Sequence, residues 1–525
     1  MSLKQQSTNG SEINERLAAL ISNTNAVRAI ASAVEGTLGP KGLDTMLVDR
    51  FGEVVITNDG VTILTNMEAT HPAAKMVINI AKAQEEEVGD GTTTTTVMAG
   101  SMVGNGLEQV IKGVPVAKVI EGMRQGINLA VETMRQQSVI LSGLDDLRLN
   151  SVALIAGRGH SDISDLVVTA ARLVGRDELM KPAFKLADIV VAEEGAENQV
   201  FDGVIIGKER INRQMPEHLT GVKVMVIDDA LEPEEVEEEA LGTESGFNRF
   251  LALQEEFKLN IDKIKAMGVG LVLVDRGVSD IAEEKLTDAN VMVVQRVLQK
   301  ELRRAAEHTG ARMIKRTGLA RDVSELKKYL GSAGAVNNNE KLEQVWIHSG
   351  GGKPMATIVV GAATAEVVGE RERIAKDAAA AVQAAVKGGV VPGGGALELA
   401  VAREVEKMRG RIKGMAAYGV DCVVEALKRP LAQIVANAGF NPLEKAGDVF
   451  AAQVARRKNT LGIDCDTGEV KDMIKDEVLD PTPVKIHALK AAGEIAEAIL
   501  RIDTIIRKRE DKQEGRDSVK DGGAG

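Results

Sequence analysis

The segment Gly89-Asp90-Gly91-Thr92-Thr93-Thr94 stands between two long apolar-periodic stretches and constrains this chain more than any other feature. Upstream, Val77, Ile80, Ala81, Gln84 and Val88 recur at helical spacing, which predicts a helix from about Pro72 to Val88. Gly89 suits the left-handed stop of that helix. The threonines then open a second helix, with Val97, Ser101 and Met102 on one side. A helix start presents unpaired N–H groups and the positive end of the dipole, and both favour a phosphate. Glycines let the backbone approach closely, threonine hydroxyls add donors, and Asp90 is placed to hold a Mg²⁺ ion that bridges phosphate oxygens. Taken alone, Gly-Asp-Gly reads equally as a polar turn with a threonine cap. No G-x-x-x-x-G-K-[ST] occurs, so this is not a P-loop, and a dinucleotide fingerprint lacks its third glycine and preceding strand.

A second Gly-rich turn, Thr37-Leu38-Gly39-Pro40-Lys41-Gly42, follows a helical stretch carrying Val27, Ile30, Ala31 and Val34. Two short β-type runs come next, Thr45 to Val48 and Glu53 to Thr57, joined by Asp49-Arg50-Phe51-Gly52 as in a hairpin. The second run ends at Asn58-Asp59-Gly60, a predicted turn that leaves the Asp59 carboxylate exposed at a strand end. ATP hydrolysis needs a metal for the phosphates and a group to orient the attacking water. Asp90 and Asp59 fit those two roles, although Asn-Asp-Gly by itself is an ordinary turn.

TLGPKGLDTMLVD, VITNDGVTIL and VGDGTTTTTVMAG together resemble the ATP-site signatures of chaperonins. The likeness continues through VVPGGGALELA (Val390 to Ala400), LGIDCDTGEVKDM (Leu461 to Met473) and VLDPTPVKIHALKAAGEIAEAILRID (Val478 to Asp503). It covers essentially the whole chain, and its style is nearer the group II chaperonins of thermosome and eukaryotic cytosolic type.

The resemblance implies a multidomain α+β chaperonin fold. A mostly helical equatorial ATPase domain would take residues 1–142 and 393–525, with a disordered tail from about 508. A small intermediate hinge domain would take 143–203 and 362–392. An α/β apical domain would take 204–361, with a helical protrusion at about 241–267. The residues agree with this plan. Short β runs (Asp188 to Ala192, Val204 to Ile206, Val222 to Ile227, Gly270 to Val274, Val291 to Gln295) alternate in the middle with helical segments at Ile281 to Leu286 and Leu298 to His308.

Functional residues carry over from the resemblance position by position. Asp90 would be the Mg²⁺ ligand and Asp59 one water-positioning carboxylate. Asp377, a solvated helix charge on composition alone, would swing over the nucleotide as the second. Thr37, Leu38, Gly39, Pro40 and Gly91, Thr92, Thr93, Thr94 would form the phosphate loops. Gly394 and Gly395 would lie beside the nucleoside, and Asp480 on the ribose hydroxyls. Arg158 would sense the terminal phosphate. Three departures stand out: arginine at 158 where group II chains carry lysine, Asp480-Pro481 in the group I form, and Val360-Gly361-Ala362-Ala363-Thr364 nearer the group I hinge. Arginine presents a rigid fork where lysine has a compact ammonium, so the first is not a neutral exchange. They point to a divergent branch, bacterial relatives of the thermosome included.

The stretch Thr243 to Ile264, with Phe247, Phe250 and Phe257 among acidic residues, matches the group II insertion that serves as a built-in lid. The acidic run Glu232 to Glu239 before it reads as a solvated arm. No separate lid protein is then expected. The implied function is an ATP- and Mg²⁺-dependent chaperonin, a homo-oligomer of two stacked rings with about eight subunits each, that captures non-native polypeptides. A nucleotide-gated scaffold or holdase is the alternative, and a metabolic ATPase a distant third. The net charge of −12 argues against nucleic-acid binding as the main function. Cys422 and Cys465 form neither a metal cluster nor a disulfide framework, and the six histidines show no ligand spacing. The polar N-terminus and the expected lack of a membrane-length apolar run predict a cytoplasmic protein with no membrane partner.

Overall fold

The computed structural model describes residues 3–505 apart from 49, 53, 235 and 237–241. Much of the acidic run, and the whole tail from Lys508, lie outside the described residues.

Helices from both ends of the chain pack into one body. Leu3–Glu35, Pro72–Val88, Thr92–Ile111 and Val116–Gln137 come from the N-terminal part. Ala396–Arg409, Ala416–Asn437, Pro442–Ala455 and Thr482–Leu500 come from the C-terminal part. Their shared core joins Val27, Val34, Val77, Met98 and Met123 to Val423, Leu427, Ala492 and Ile499. With aromatics at 2% of the chain, this core is aliphatic, and small residues let helices come close. Gly122 and Gly419 meet where Val116–Gln137 crosses Ala416–Asn437, and a Cβ on Gly122 would lie 1.8 Å from the Ala416 carbonyl oxygen. One stretch, Leu17–Glu35, is long and apolar enough to cross a membrane, with mean hydropathy 1.2, contrary to the expectation that no run qualifies. Its Leu20, Val27, Ile30 and Val34 are buried in the core, which accounts for the apolar composition.

A middle unit is built from segments on either side of the outer one. Helices Arg148–Ala156, Ser161–Val174 and Ala365–Gly388 enclose Leu149, Val152, Ile163, Val167, Ala378 and Val382. The outer unit centres on an eight-stranded mixed sheet. Its order is Val190–Glu194, Ala356–Ala362, Gln199–Ile206, Gln344–Gly350, Gly331–Asn339, His218–Ile227, Val269–Val274, Met292–Val294. Leu302 and Ala305 of helix Gln299–Thr309 cover one face. Phe257, Ile261 and Ile264 of helix Glu244–Ala266, with Leu286 of Asp280–Asp288, cover the other. Burial on both faces is why Val269–Val274 and Met292–Val294 are continuous apolar runs. Val190, Ala192, Ile358 and Val360 belong to the middle core, so the sheet runs unbroken from the middle unit into the outer one.

The sequence reading singled out five of these strands. Gly331–Asn339 (GSAGAVNNN) escapes it because glycine, serine and asparagine hide the period-2 signal. The predicted hairpin exists, Thr45 pairing with Thr57 and Val48 with Val54.

Candidate active site

Helix Pro72–Val88 ends at Gly89, which adopts φ 67° and satisfies its N–H on the carbonyls of Gln84 and Glu85. Gly91, at φ 79°, opens helix Thr92–Ile111 with no side-chain cap. Asp90 is thus held between two left-handed glycines, a double turn that β-carbons at 89 and 91 would strain. Its Oδ1 accepts the Gly91 N–H at 2.5 Å, and Gln84 Nε2 donates to its carbonyl at 2.7 Å. Thr95 and Thr96 spend their hydroxyls on the carbonyls of Gly91 and Thr92, so the free helix start is left to Thr92, Thr93 and Thr94.

Asp59 departs from expectation. Gly60 begins a short helix, Gly60–Asn66, and Asp59 caps it, with Oδ2 accepting the Thr62 N–H at 2.8 Å. The residue is only 7% exposed, so the carboxylate is not an open turn group. The reason is packing: a Cβ on Gly60 would stand 2.5 Å from Thr93 Oγ1, so the cap sits directly on the start of the threonine helix. That contact joins Asp59 to the Asp90 turn.

Asp377 arrives from the middle unit on helix Ala365–Gly388. Ala380, one turn further on, lies against Gly89, where a Cβ would be 2.2 Å from the alanine methyl. Arg158, at φ 53° between Gly157 and Gly159, directs Nη1 to Glu370 Oε1 at 2.8 Å and Nη2 to Asp377 Oδ2 at 3.7 Å. Glu370, Arg373, Asp377 and Ala380 are spaced i, i+3, i+7 and i+10, one helical stripe facing the cleft.

The cluster is electrostatically uncompensated. Burial, then Asp480, pushes the Asp90 carboxyl up to about 6, against the pull of the Gly91 N–H, Lys485 and Arg158. Burial, then Asp59 and Asp90, pushes Glu85 up to about 7. Burial followed by Glu85, Asp59 and Asp90 raises Asp377 well above the carboxylate range. Buried like charges of this kind are a functional-site signature.

The other expected loops flank this centre. Gly39 lies against Ile434, and Gly395 against Leu431, one turn apart on helix Ala416–Asn437. The Thr37-Leu38-Gly39-Pro40 loop is tied there as well, since Asn437 Nδ2 donates to the Leu38 carbonyl at 2.8 Å. Gly394 stands by Met473, and Gly393 by the Asp480 carboxylate. Asp480 is paired with Lys485 at 2.7 Å, as is the fully buried Glu398, also at 2.7 Å. Burial works against a charged Lys485, but the two carboxylates outweigh it and raise its pKa.

Sequence reasoning missed Glu85, Thr62, Glu370, Arg373, Glu398 and Lys485. The i, i+3, i+7 stripe through Asp377 would have found Glu370 and Arg373. Glu398, a lone carboxylate in the apolar run ALELAVA, would have flagged itself as paired. Among the described residues no group of three or more His, Cys, Asp and Glu forms a metal cage. An apolar cleft of about 830 Å³ between Leu17, Ile120 and Leu500 shares no residue with this cluster.

Among known proteins, the description of the TCP-1/cpn60 chaperonin family matches residues 30–510. The chain is 34% identical over 501 residues to thermosome subunit beta of Archaeoglobus fulgidus, covering 92% of this chain and 91% of that protein. It is 34% identical over 508 residues to the thermosome subunit of Methanopyrus kandleri, covering 93% and 92%. A crystal structure of a group III chaperonin in the open state superposes with a TM-score of 0.87 at 50% identity, covering 94% of this chain and all of that one.

Proposed function

The chain belongs to the TCP-1/cpn60 chaperonin family and is a protein-folding ATPase subunit, and from that premise we propose that the cluster around Asp90 binds Mg²⁺ and ATP. The observation that carries this reading is the seat of Asp377. It belongs to the middle unit, yet its helix rests on the Gly89-Asp90-Gly91 turn of the helical body.

Asp90 would hold the metal, which when bound supplies positive charge to the phosphate oxygens. The backbone N–H groups of Gly39 and of Thr92 to Thr94 donate to the phosphates, while Thr37, Leu38, Pro40 and Gly91 shape the two loops. Arg158 meets the terminal phosphate, while Gly394, Gly395 and Asp480 border the nucleoside. Asp59 and Asp377 orient the attacking water and take its proton. A carboxyl whose burial raises its proton affinity is a better base near neutral pH than an exposed one. Since Asp377 comes with a separate unit, hydrolysis depends on how that unit is seated, as in other enzymes that close before reacting.

The helical body corresponds in this reading to the equatorial domain, the middle unit to the hinge, and the outer unit to the apical domain. The Glu244–Ala266 helix buries Phe257 and Ile261 but leaves Phe247 51% and Leu259 62% exposed, as a built-in lid needs. Met46, Phe51 and Ile56 of the hairpin are 62%, 77% and 55% exposed. Such an apolar two-stranded edge is a liability unless a neighbouring subunit covers it. This supports a homo-oligomer in two stacked rings, about eight subunits each by family likeness. A cytoplasmic site of action, client polypeptides without sequence preference and no separate lid protein complete the reading. The departures at Arg158 and Asp480 accord with a branch near the group III neighbour.

The test is refolding of a denatured enzyme by the purified protein with Mg²⁺ and ATP and no added lid protein. Recovery above the nucleotide-free control is expected. ATP turnover without recovery would favour the scaffold or holdase.

A further inference from the structure

One cation in the cluster has no part in the scheme above. Arg373 sits one helical turn before Asp377, with its side chain 19% exposed. It leaves its own unit: Nη1 donates to Thr62 Oγ1 at 3.2 Å, on the short helix capped by Asp59. Its other partner is Glu370, three residues back, which also takes Arg158 at 2.8 Å. The result is a continuous series of contacts. Asp377 faces Arg158, Arg158 pairs with Glu370, and Glu370 with Arg373. Arg373 then bonds Thr62, whose N–H is held by Asp59.

Two features make this more than a surface ion pair. The guanidinium Nε is buried without a hydrogen-bond partner, an arrangement that costs stability and persists only where surrounding contacts impose it. The cation also stands amid Asp59, Asp377 and Glu85, and burial, helped by the nearby Arg158, lowers its pKa against the pull of those three carboxylates. The geometry also fixes direction. Ala380 on Gly89 sets the height of the hinge helix over the Asp90 turn, while Ala378, Ala379 and Val382 fix that helix in the middle core, so the helix and its unit turn together. The single Arg373 Nη1 bond to Thr62 Oγ1 ties that unit to the helix capped by Asp59, and a turn of the unit is what would swing Asp377 away from Asp59.

We propose that Arg373 is a positioning residue for ATP hydrolysis: by binding Thr62 across the unit boundary, it holds the middle unit in the orientation that sets Asp377 opposite Asp59. Glu370 is the second half of the device. It pre-orients the Arg373 fork and ties it to Arg158, so a displacement of Arg158 is transmitted to Asp377. This rests on the reading of the cluster as the ATPase site.

The test uses the full-length protein with three substitutions, Arg373→Met, Arg373→Lys and Thr62→Val, assayed for steady-state ATP turnover beside the unaltered chain. For Arg373→Met, kcat is expected to fall at least tenfold, with the KM for ATP within about twofold of the unaltered chain. Thr62→Val removes the acceptor from the opposite side with little change of shape and should give the same split. Arg373→Lys keeps charge but not the fork and should recover only part of kcat. A second readout needs no nucleotide. Amide hydrogen exchange in Gly60–Asn66 should quicken in both Arg373→Met and Thr62→Val, since each frees that helix from the hinge.

Unchanged kcat in Arg373→Met and Thr62→Val would overturn the proposal, as would a rise in KM with kcat intact. An unaltered chain that hydrolyses no ATP would overturn the reading of the site and the proposal with it. If Arg373→Met fails to fold, Thr62→Val decides alone.

Discussion

Two buried charge clusters in this molecule are built on opposite principles. In the outer unit Arg210, 4% exposed, donates to the Met215 carbonyl at 2.7 Å and pairs with Glu217 at 2.9 Å and Glu340 at 2.6 Å. One cation meets two half-exposed carboxylates, and the Asn338 side chain takes the Arg210 N–H at 3.0 Å. At the junction of the middle unit and helical body, Asp59, Glu85, Asp90 and Asp377 crowd together and burial raises the last three. Arg158 and Arg373 do not neutralise them. The first cluster pairs its cation with solvated carboxylates, although Arg210 Nε and Asn338 Nδ2 are buried without a partner, and it holds strands in place. The second holds excess negative charge out of water, a state that costs free energy and that the proposed Mg²⁺ would relieve.

The comparison can be broken by substitution. Asp377→Ala should lower ATP turnover roughly 100-fold or more while leaving nucleotide binding largely intact, measured by single-turnover hydrolysis and calorimetry. Unchanged turnover would remove Asp377 from the water-activating role. Asp90→Asn should weaken Mg²⁺-dependent ATP binding roughly tenfold, and the metal dependence of binding should flatten with it. In the outer cluster, Arg210→Met should destabilise that unit by about 2 kcal/mol, because its partners are half solvated and regain water. ATP turnover of that variant should match the unaltered chain; a fall would mean the two clusters are coupled.

The smallest effect is a pH dependence. Glu85 has its pKa raised from 4.5 to about 7. Above about pH 7 the folded, nucleotide-free protein must keep this buried group ionised beside Asp59 and Asp90, which destabilises it. As pH falls from 7 toward 4.5, the folded state takes the proton before the unfolded one does, and stability rises. Glu85→Gln should therefore raise the melting temperature at pH 8 by roughly 2 °C. The gain should vanish near pH 5. A gain that persisted at pH 5 would assign the effect to packing and not to charge.

Much of this was legible in the residues, for a local reason. Helix Pro72–Val88, the left-handed glycine stop and the threonine helix start are specified within a few residues of one another by period, cap and φ preference. So the Asp90 turn could be read before any fold was known. The buried character of Asp59 could not be, because it depends on Gly60 meeting Thr93 across more than thirty positions of chain. Arg373 was invisible for the same reason: its acceptor, Thr62, lies 311 residues away.

The sequence by itself determined the helices, the glycine turns, the aliphatic cores and the family, since each rests on short-range chemistry or on a long run of matching motifs. Only the tertiary structure decided which charges stand uncompensated and which side chain bridges the units. Those depend on solvent exclusion and on distances between segments far apart in the chain, and neither quantity is a property of any local stretch of residues.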